Sequence, residues 1–181
     1  MQPLNRHAAR LCAAAFLTTS LAAAAQSGDA PAKVIILPER AEAIYNQYHY
    51  APAVRVGNRV IVSGIPAAGP GTYRDQVKRM FGIALSILRM SGASMADVIE
   101  IQTFHVNARN SDDFQKELAD FLEVHKEYLP VHYPAWTAIG NAVLLAPGAV
   151  VEMRLEAVIG SGQAARVEKI PAAAPVTPAT K

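Results

Sequence analysis

The sequence predicts an α+β domain with helices packed on one face of a sheet, and three observations carry that expectation. A β-branched hairpin comes first, two helices follow with a strand between them, and two more strands close the block. The expected order is β-β-α-β-α-β-β.

Each element follows from local chemistry. Ala53-Val54-Arg55-Val56 and Arg59-Val60-Ile61-Val62-Ser63 flank Gly57-Asn58; branched side chains suit a pleated backbone, and a Gly-Asn pair suits a tight turn. Ser63-Gly64 ends the second strand. From Tyr73 to Met90, the residues Val77, Met80, Phe81, Ala84, Leu85 and Leu88 recur at three- and four-residue spacing, which aligns them on one helical face. Ser91-Gly92 stops that helix. Residues 97–106 alternate apolar and polar side chains like a strand, and Asn107 to Ser111 form a polar turn. Ser111 or Asp112 is expected to cap a second helix whose inner face carries Phe114, Leu118, Phe121, Leu122 and His125. The last strands, at 135–142 and 149–158, are joined through the turn Ala146-Pro147-Gly148.

The flanks read differently. Residues 1–25 carry Arg6 and Arg10, then an apolar run from Leu11 to Ala25 interrupted only by Thr18, Thr19 and Ser20. This is the pattern of a secretory signal peptide cleaved after Ala25, and the run is shorter than the ~20 residues of a membrane span. A periplasmic or secreted protein is expected, with no membrane association once the signal is removed. Residues 26–33 predict a flexible linker, 34–160 the folded domain, and 161–181 a Pro/Ala-rich disordered tail.

Charge and cysteine usage exclude several function classes. Of the 17 Lys and Arg, two fall in the signal segment, and the remaining 15 balance the 15 Asp and Glu. No basic cluster argues for a nucleic-acid partner. The single cysteine, Cys12, lies in the signal segment, so thiol catalysis is not expected in the mature chain. His49, His105, His125 and His132 lack the i,i+4 spacing of a helical zinc site, and no glycine-rich phosphate loop is present. Neither a metal nor a cofactor is expected.

Five short segments, in order, carry a resemblance. Tyr50-Ala51-Pro52-Ala53-Val54, Gly57-Asn58, Ser63-Gly64, Gly92-Ala93-Ser94-Met95-Ala96-Asp97-Val98 and Tyr133-Pro134-Ala135-Trp136-Thr137 stand ahead of an apolar strand containing Glu152. Over roughly residues 48–159 this layout resembles the Rid family of enamine/imine deaminases, the YjgF/YER057c/UK114 proteins. The resemblance implies a chorismate-mutase-like fold, a homotrimer with ligand clefts between neighbouring subunits, and hydrolysis of a 2-imino acid to a 2-keto acid and ammonia.

The resemblance also assigns residues. Tyr50 either hydrogen-bonds the substrate or packs as an edge aromatic, and Ser63 either donates to the substrate or ends its strand. Glu152 orients or activates the attacking water, or else pairs with a cation on a strand surface. The family usually reads Pro-Ala-Arg-Ser where this chain has Pro134-Ala135-Trp136-Thr137. The usual arginine grips a carboxylate bidentately, whereas an indole offers a flat apolar surface and one N–H donor. Thr137 follows in the same motif as a substrate-binding candidate. Arg154, two residues beyond Glu152, is a candidate replacement cation, and His105 a candidate cleft acid or base. Ser63-Gly64-Ile65-Pro66 also departs from the family's common Ser-Gly-Gln. Two functions follow: an exported hydrolase of imines, enamines or related reactive amines, or a non-catalytic trimeric protein binding an apolar or aromatic small molecule.

Overall fold

Alternation along each strand decides which side of the sheet becomes core. In the computed structural model, which describes residues 30–171, six strands and three α-helices follow in order: β1 (Lys33–Ile36), α1 (Glu42–Tyr48), β2 (Ala53–Val56), β3 (Arg59–Ala67), α2 (Tyr73–Met90), β4 (Val98–His105), α3 (Ser111–Tyr128), β5 (Ala135–Gly140) and β6 (Val151–Val158). The expected signal peptide and the end of the expected tail lie outside the described residues. The strands form one sheet in the order β1-β2-β3-β6-β4-β5. All pairings are antiparallel except that of β4 with β5.

The α+β arrangement expected from the sequence is present, with two elements added at its start. β1 begins at Lys33, the last residue of the expected linker, and pairs with β2. The sequence signal for it is the branched run Val34-Ile35-Ile36, and the signal for α1 is a set of helix-favouring residues after Pro38. The two last strands do not pair with each other, because β6 inserts between β3 and β4 and leaves β5 on the edge. The β4–α3–β5 crossover is what makes β5 parallel to β4.

One face is dry. Val60, Val62, Ile65 and Ala67 of β3, Val151, Met153, Leu155 and Ala157 of β6, and Ile101 of β4 are buried with Val77, Met80, Phe81, Ala84 and Leu88 of α2 and with Phe121 and Val124 of α3. The Phe81 and Phe121 rings lie 5.7 Å apart, joining the two helices at the centre. Thr72 and Asp75 form a reciprocal capping box at the start of α2. Asn110 caps α3 by accepting from the Asp113 backbone N–H at 2.9 Å, one residue before Ser111 and two before Asp112, the caps expected from the sequence.

The opposite face carries a row of charges. Arg59 donates to Glu156 Oε2 through Nε and Nη2 at 3.1 and 2.6 Å. Arg154 donates to Glu156 Oε1 at 2.5 Å and stands 3.6 Å from Glu100, which accepts from Gln102 at 3.0 Å. The row crosses β3, β6 and β4 as a chain of cross-strand pairs. Arg59 holds the buried Glu156 carboxyl below the usual carboxylate range.

The segment after β6 starts ordered. The 3-10 turn Ser161–Ala164 docks when the Gly162 N–H donates to Asp97 Oδ1 at 3.0 Å and the Ser161 hydroxyl donates to the Asp97 carbonyl at 3.3 Å. Glycine is required there, since a Cβ on Gly162 would stand 2.5 Å from the Ala96 carbonyl oxygen.

Candidate functional site

A β-bulge shapes the candidate site. The β3–β6 register shifts between Val62 and Ile65, so Ser63 and Gly64 together occupy the span opposite Arg154. A bulge of this kind bends its strand and re-aims the residues around it. Beside it, Glu152 alternates with buried Val151 and Met153 and therefore points away from α2 and α3.

Glu152 lies in a cleft of about 370 Å³. The floor comes from Ser63, Gly64 and Pro66, one wall from Ile44 and Tyr48 of α1 with Tyr50, and the other from Leu145, Ala146 and Pro147 of the β5–β6 connection. Among these residues Glu152 is the one charged group. Desolvation by the apolar walls pushes its carboxyl pKa up. The carboxyl fits because residue 64 has no side chain: a Cβ there would lie 2.7 Å from Glu152 Cδ and closer still to Oε1. Gly64→Ala is therefore expected to swing the carboxyl out of its present place at a cost of no more than about 1 kcal/mol, since the atoms that must yield are the end of a flexible side chain. A crystal structure of the variant and its urea-denaturation midpoint check both effects.

Three of the sequence-predicted residues thus meet. Tyr50 is partly exposed at the cleft mouth. Ser63 lines the floor, but its hydroxyl donates to the Ala51 carbonyl at 2.7 Å, while its N–H donates to the Pro52 carbonyl at 3.0 Å. Ser63 thereby fixes the loop that carries Tyr50 and leaves its oxygen free as an acceptor.

The other four predicted residues lie elsewhere. Arg154 shares the Glu152 face, but Glu156 and Glu100 hold its guanidinium and it does not line the cleft. Thr137 is exposed on that face, in register with Gln102. Trp136 points to the helical side, where its ring stacks on His125 with centroids 5.3 Å apart and planes 6° apart. It also packs against Phe121 at 5.3 Å. His105 is fully buried on the same side.

Trp136 and His105 belong to one polar chain through the core. The indole Nε1–H donates to Thr103 Oγ1 at 3.0 Å. Thr103 Oγ1 is 2.9 Å from His105 Nε2, and His105 Nδ1 is 3.0 Å from Glu117 Oε1. A neutral His105 protonated at Nδ1 satisfies every link: Trp136 donates to Thr103, Thr103 to His105, and His105 to Glu117. The order of hydroxyl, imidazole and carboxylate resembles a nucleophilic triad, but Thr103 and His105 are fully buried and offer a substrate no approach. The chain is structural.

Trp136 also helps line a smaller pocket of about 290 Å³ with Leu122, His125, Lys126, Tyr133 and Pro134. Burial lowers the His125 pKa, favouring the neutral ring, and its Nε2 is buried without a hydrogen-bond partner among the described residues.

Sequence reasoning missed Ile44, Tyr48, Gly64, Pro66, Leu145 and Pro147 as cleft residues. The tight spacing between Ser63 and Pro66 was a signal for the floor. Nothing local indicated that the 141–150 connection would fold back over it.

The sheet backed by two long helices, with a largely apolar cleft holding a single carboxyl, defines a small α+β domain. The family described as Endoribonuclease L-PSP matches residues 40–159, and this chain belongs to it, among the Rid/YjgF proteins. The chain is 26% identical over 114 residues to RutC family protein YjgH of Escherichia coli, spanning 60% of this chain and 82% of that protein. It is 31% identical over 102 residues to a 2-iminobutanoate/2-iminopropanoate deaminase of Dermatophagoides farinae, spanning 52% and 74%. Among solved structures, Rv2704 of Mycobacterium tuberculosis, a YjgF/YER057c/UK114 family member, superposes with a TM-score of 0.61 at 20% identity, covering 71% of this chain and all (100%) of that one, a likeness of fold. RidA from an Antarctic Psychrobacter superposes with a TM-score of 0.53 at 28% identity, covering 61% and 88%. The YjgF-type α+β fold expected from the sequence is thereby established.

Proposed function

We propose that this protein is an exported, periplasmic or secreted hydrolase of imines, enamines or related reactive amines, working as a homotrimer. The observation that carries the reading is the Glu152 carboxyl, set without a cation in an apolar cleft beside the Ser63–Gly64 bulge. Burial moves such a carboxyl toward the range in which it can both take and return a proton. As water attacks the C=N carbon, Glu152 accepts a water proton. It then delivers that proton to the nitrogen, giving a carbinolamine, and next moves the carbinolamine hydroxyl proton to the same nitrogen, so that the C–N bond breaks with its electron pair on nitrogen, the carbonyl forms and ammonia leaves. The relative named as a 2-iminobutanoate/2-iminopropanoate deaminase supports this chemistry. RNA cleavage, which the family's description suggests, fits less well, because among the described residues no Lys or Arg lines the cleft to meet phosphates. Exposed Tyr133, Ile139, Val143 and Leu145, on or beside edge strand β5, support a trimer that covers them.

The test is ammonia release from imines generated in situ by an oxidase. Acceleration above the protein-free rate is expected with the natural chain. No acceleration with any imine overturns the reading. A second reading rests on the Trp136 pocket, whose stacked Trp136–His125 pair and neighbouring Tyr133 suit a flat apolar ring. Saturable quenching of Trp136 fluorescence by an aromatic ligand, without imine hydrolysis, favours that non-catalytic role.

A further inference from the structure

A second groove is built partly by the segment after β6 and shares no lining residue with the Glu152 cleft. The family match ends at residue 159, and the residues that follow are anchored to the domain. Asp97, 6% exposed, accepts from the Gly162 N–H at 3.0 Å and from the Ser94 N–H and hydroxyl at 2.9 and 2.8 Å. With the Ser161–Ala164 turn held in this way, the chain leaves it in extended geometry at Ala165 and carries Arg166 and Val167 along a groove of about 440 Å³. Val98 and Ile99 of β4, with Pro134 and Ala135 where β5 begins, form its apolar side.

Two irregularities of the backbone shape the groove. The β4–β6 register shifts between Val98 and Glu100, so Ile99 has no partner on β6 and stands 43% exposed in the groove wall. A bulge re-aims a side chain in this way, and a large aliphatic group left facing water gains free energy when an apolar ligand covers it. His132 lines the same groove with a left-handed backbone, φ 53°. A non-glycine residue keeps that conformation only where its surroundings impose it, and such residues cluster at ligand clamps. Arg166 supplies a guanidinium, whose paired N–H donors match the two oxygens of a carboxylate.

We infer that this groove is a second small-molecule site and binds a short aliphatic carboxylate. Arg166 holds the acid group, and the aliphatic body lies against Ile99, Val98, Pro134 and Val167. The site stands independently of the hydrolase reading. The carboxylate gains charge-assisted hydrogen bonds, and each methylene gains by leaving water. An ammonium of the same chain length keeps the second gain but meets a like charge. Tyr133, which also lines the groove, borders the edge that the proposed trimer covers. A neighbouring copy that reaches it either adds to the walls around Arg166 or fills the groove itself, and binding separates the two.

Calorimetric titration of the full natural chain, in its own assembly, with octanoate and with octylammonium tests the site. Saturable octanoate binding is expected, at least tenfold tighter than that of octylammonium. Arg166→Gln removes the partner of the acid group, and Ile99→Glu places a like charge in the wall. Both positions are exposed, so the fold tolerates either change. Each is expected to weaken octanoate binding at least tenfold. No saturable octanoate binding, the result if a neighbouring copy fills the groove, overturns the site. Octylammonium affinity within tenfold of that of octanoate, or tighter, overturns it too. A smaller loss in either variant places the ligand elsewhere and has the same consequence.

Discussion

Glu152→Gln is expected to reduce imine hydrolysis by 100-fold or more while making the folded chain more stable at neutral pH. The kinetic effect follows from removing the group that shuttles the proton, a contribution typically worth about 10²–10⁴ in rate. The stability effect runs opposite because the walls of the cleft raise the Glu152 pKa. The folded state disfavours the ionised carboxyl relative to the unfolded chain. Below the ordinary carboxylate range both states are protonated and the penalty vanishes; it grows as pH rises and is complete above the raised value. The stabilisation by glutamine should therefore appear only as pH climbs through that interval. Turnover by the natural chain should rise across the same interval, as the base becomes ionised. Thermal unfolding of both proteins between acidic and neutral pH, set beside pH–rate profiles, measures both. Equal stability of the two at neutral pH would remove the claim that the cleft holds a strained carboxylate.

Trp136→Ala is expected to destabilise the protein by about 3 kcal/mol, near the lower end for loss of a buried aromatic because the indole is partly exposed. The change removes contacts with Phe121 and His125 and strips Thr103 of its donor. Trp136→Phe keeps one ring against Phe121 and His125 but loses the Nε1–H and part of the packed indole surface, for about 1–2 kcal/mol. Urea-denaturation midpoints separate the two. Comparable losses in both variants would mean that the hydrogen bond to Thr103, rather than the ring, holds this corner together. Neither change should abolish imine hydrolysis, since the indole lies across the sheet from Glu152.

Much of this architecture was legible because periodicity reports burial. The spacing of Val77, Met80, Phe81, Ala84 and Leu88 identifies the inner face of α2, and the alternation through β4 and β6 identifies the dry side of the sheet. The same alternation, carried one step further, separates Trp136 from Glu152. The motif match placed Trp136 in one cleft with Glu152, but a strand sends neighbouring residues to opposite faces, and sequence spacing between two different strands does not say which faces agree. The pairing of β5 with β4 settles the matter, since Trp136 lies in register with buried Ile101. Ser63, Glu152 and Tyr50 are named individually by the sequence, and all three line one cleft. Their enclosure was not legible, because α1 and the 141–150 connection reach the cleft by long-range folding. Arg154 looked available for the same reason: its partners Glu156 and Glu100 are evident as a network only once β4 lies beside β6.

The helix α1 contributes Ile44 and Tyr48 to the cleft wall yet buries no residue of its own. The domain's hydrophobic core is complete without it. Selection can therefore rewrite these wall positions, and with them the choice of ligand, under little of the constraint that guards the interior.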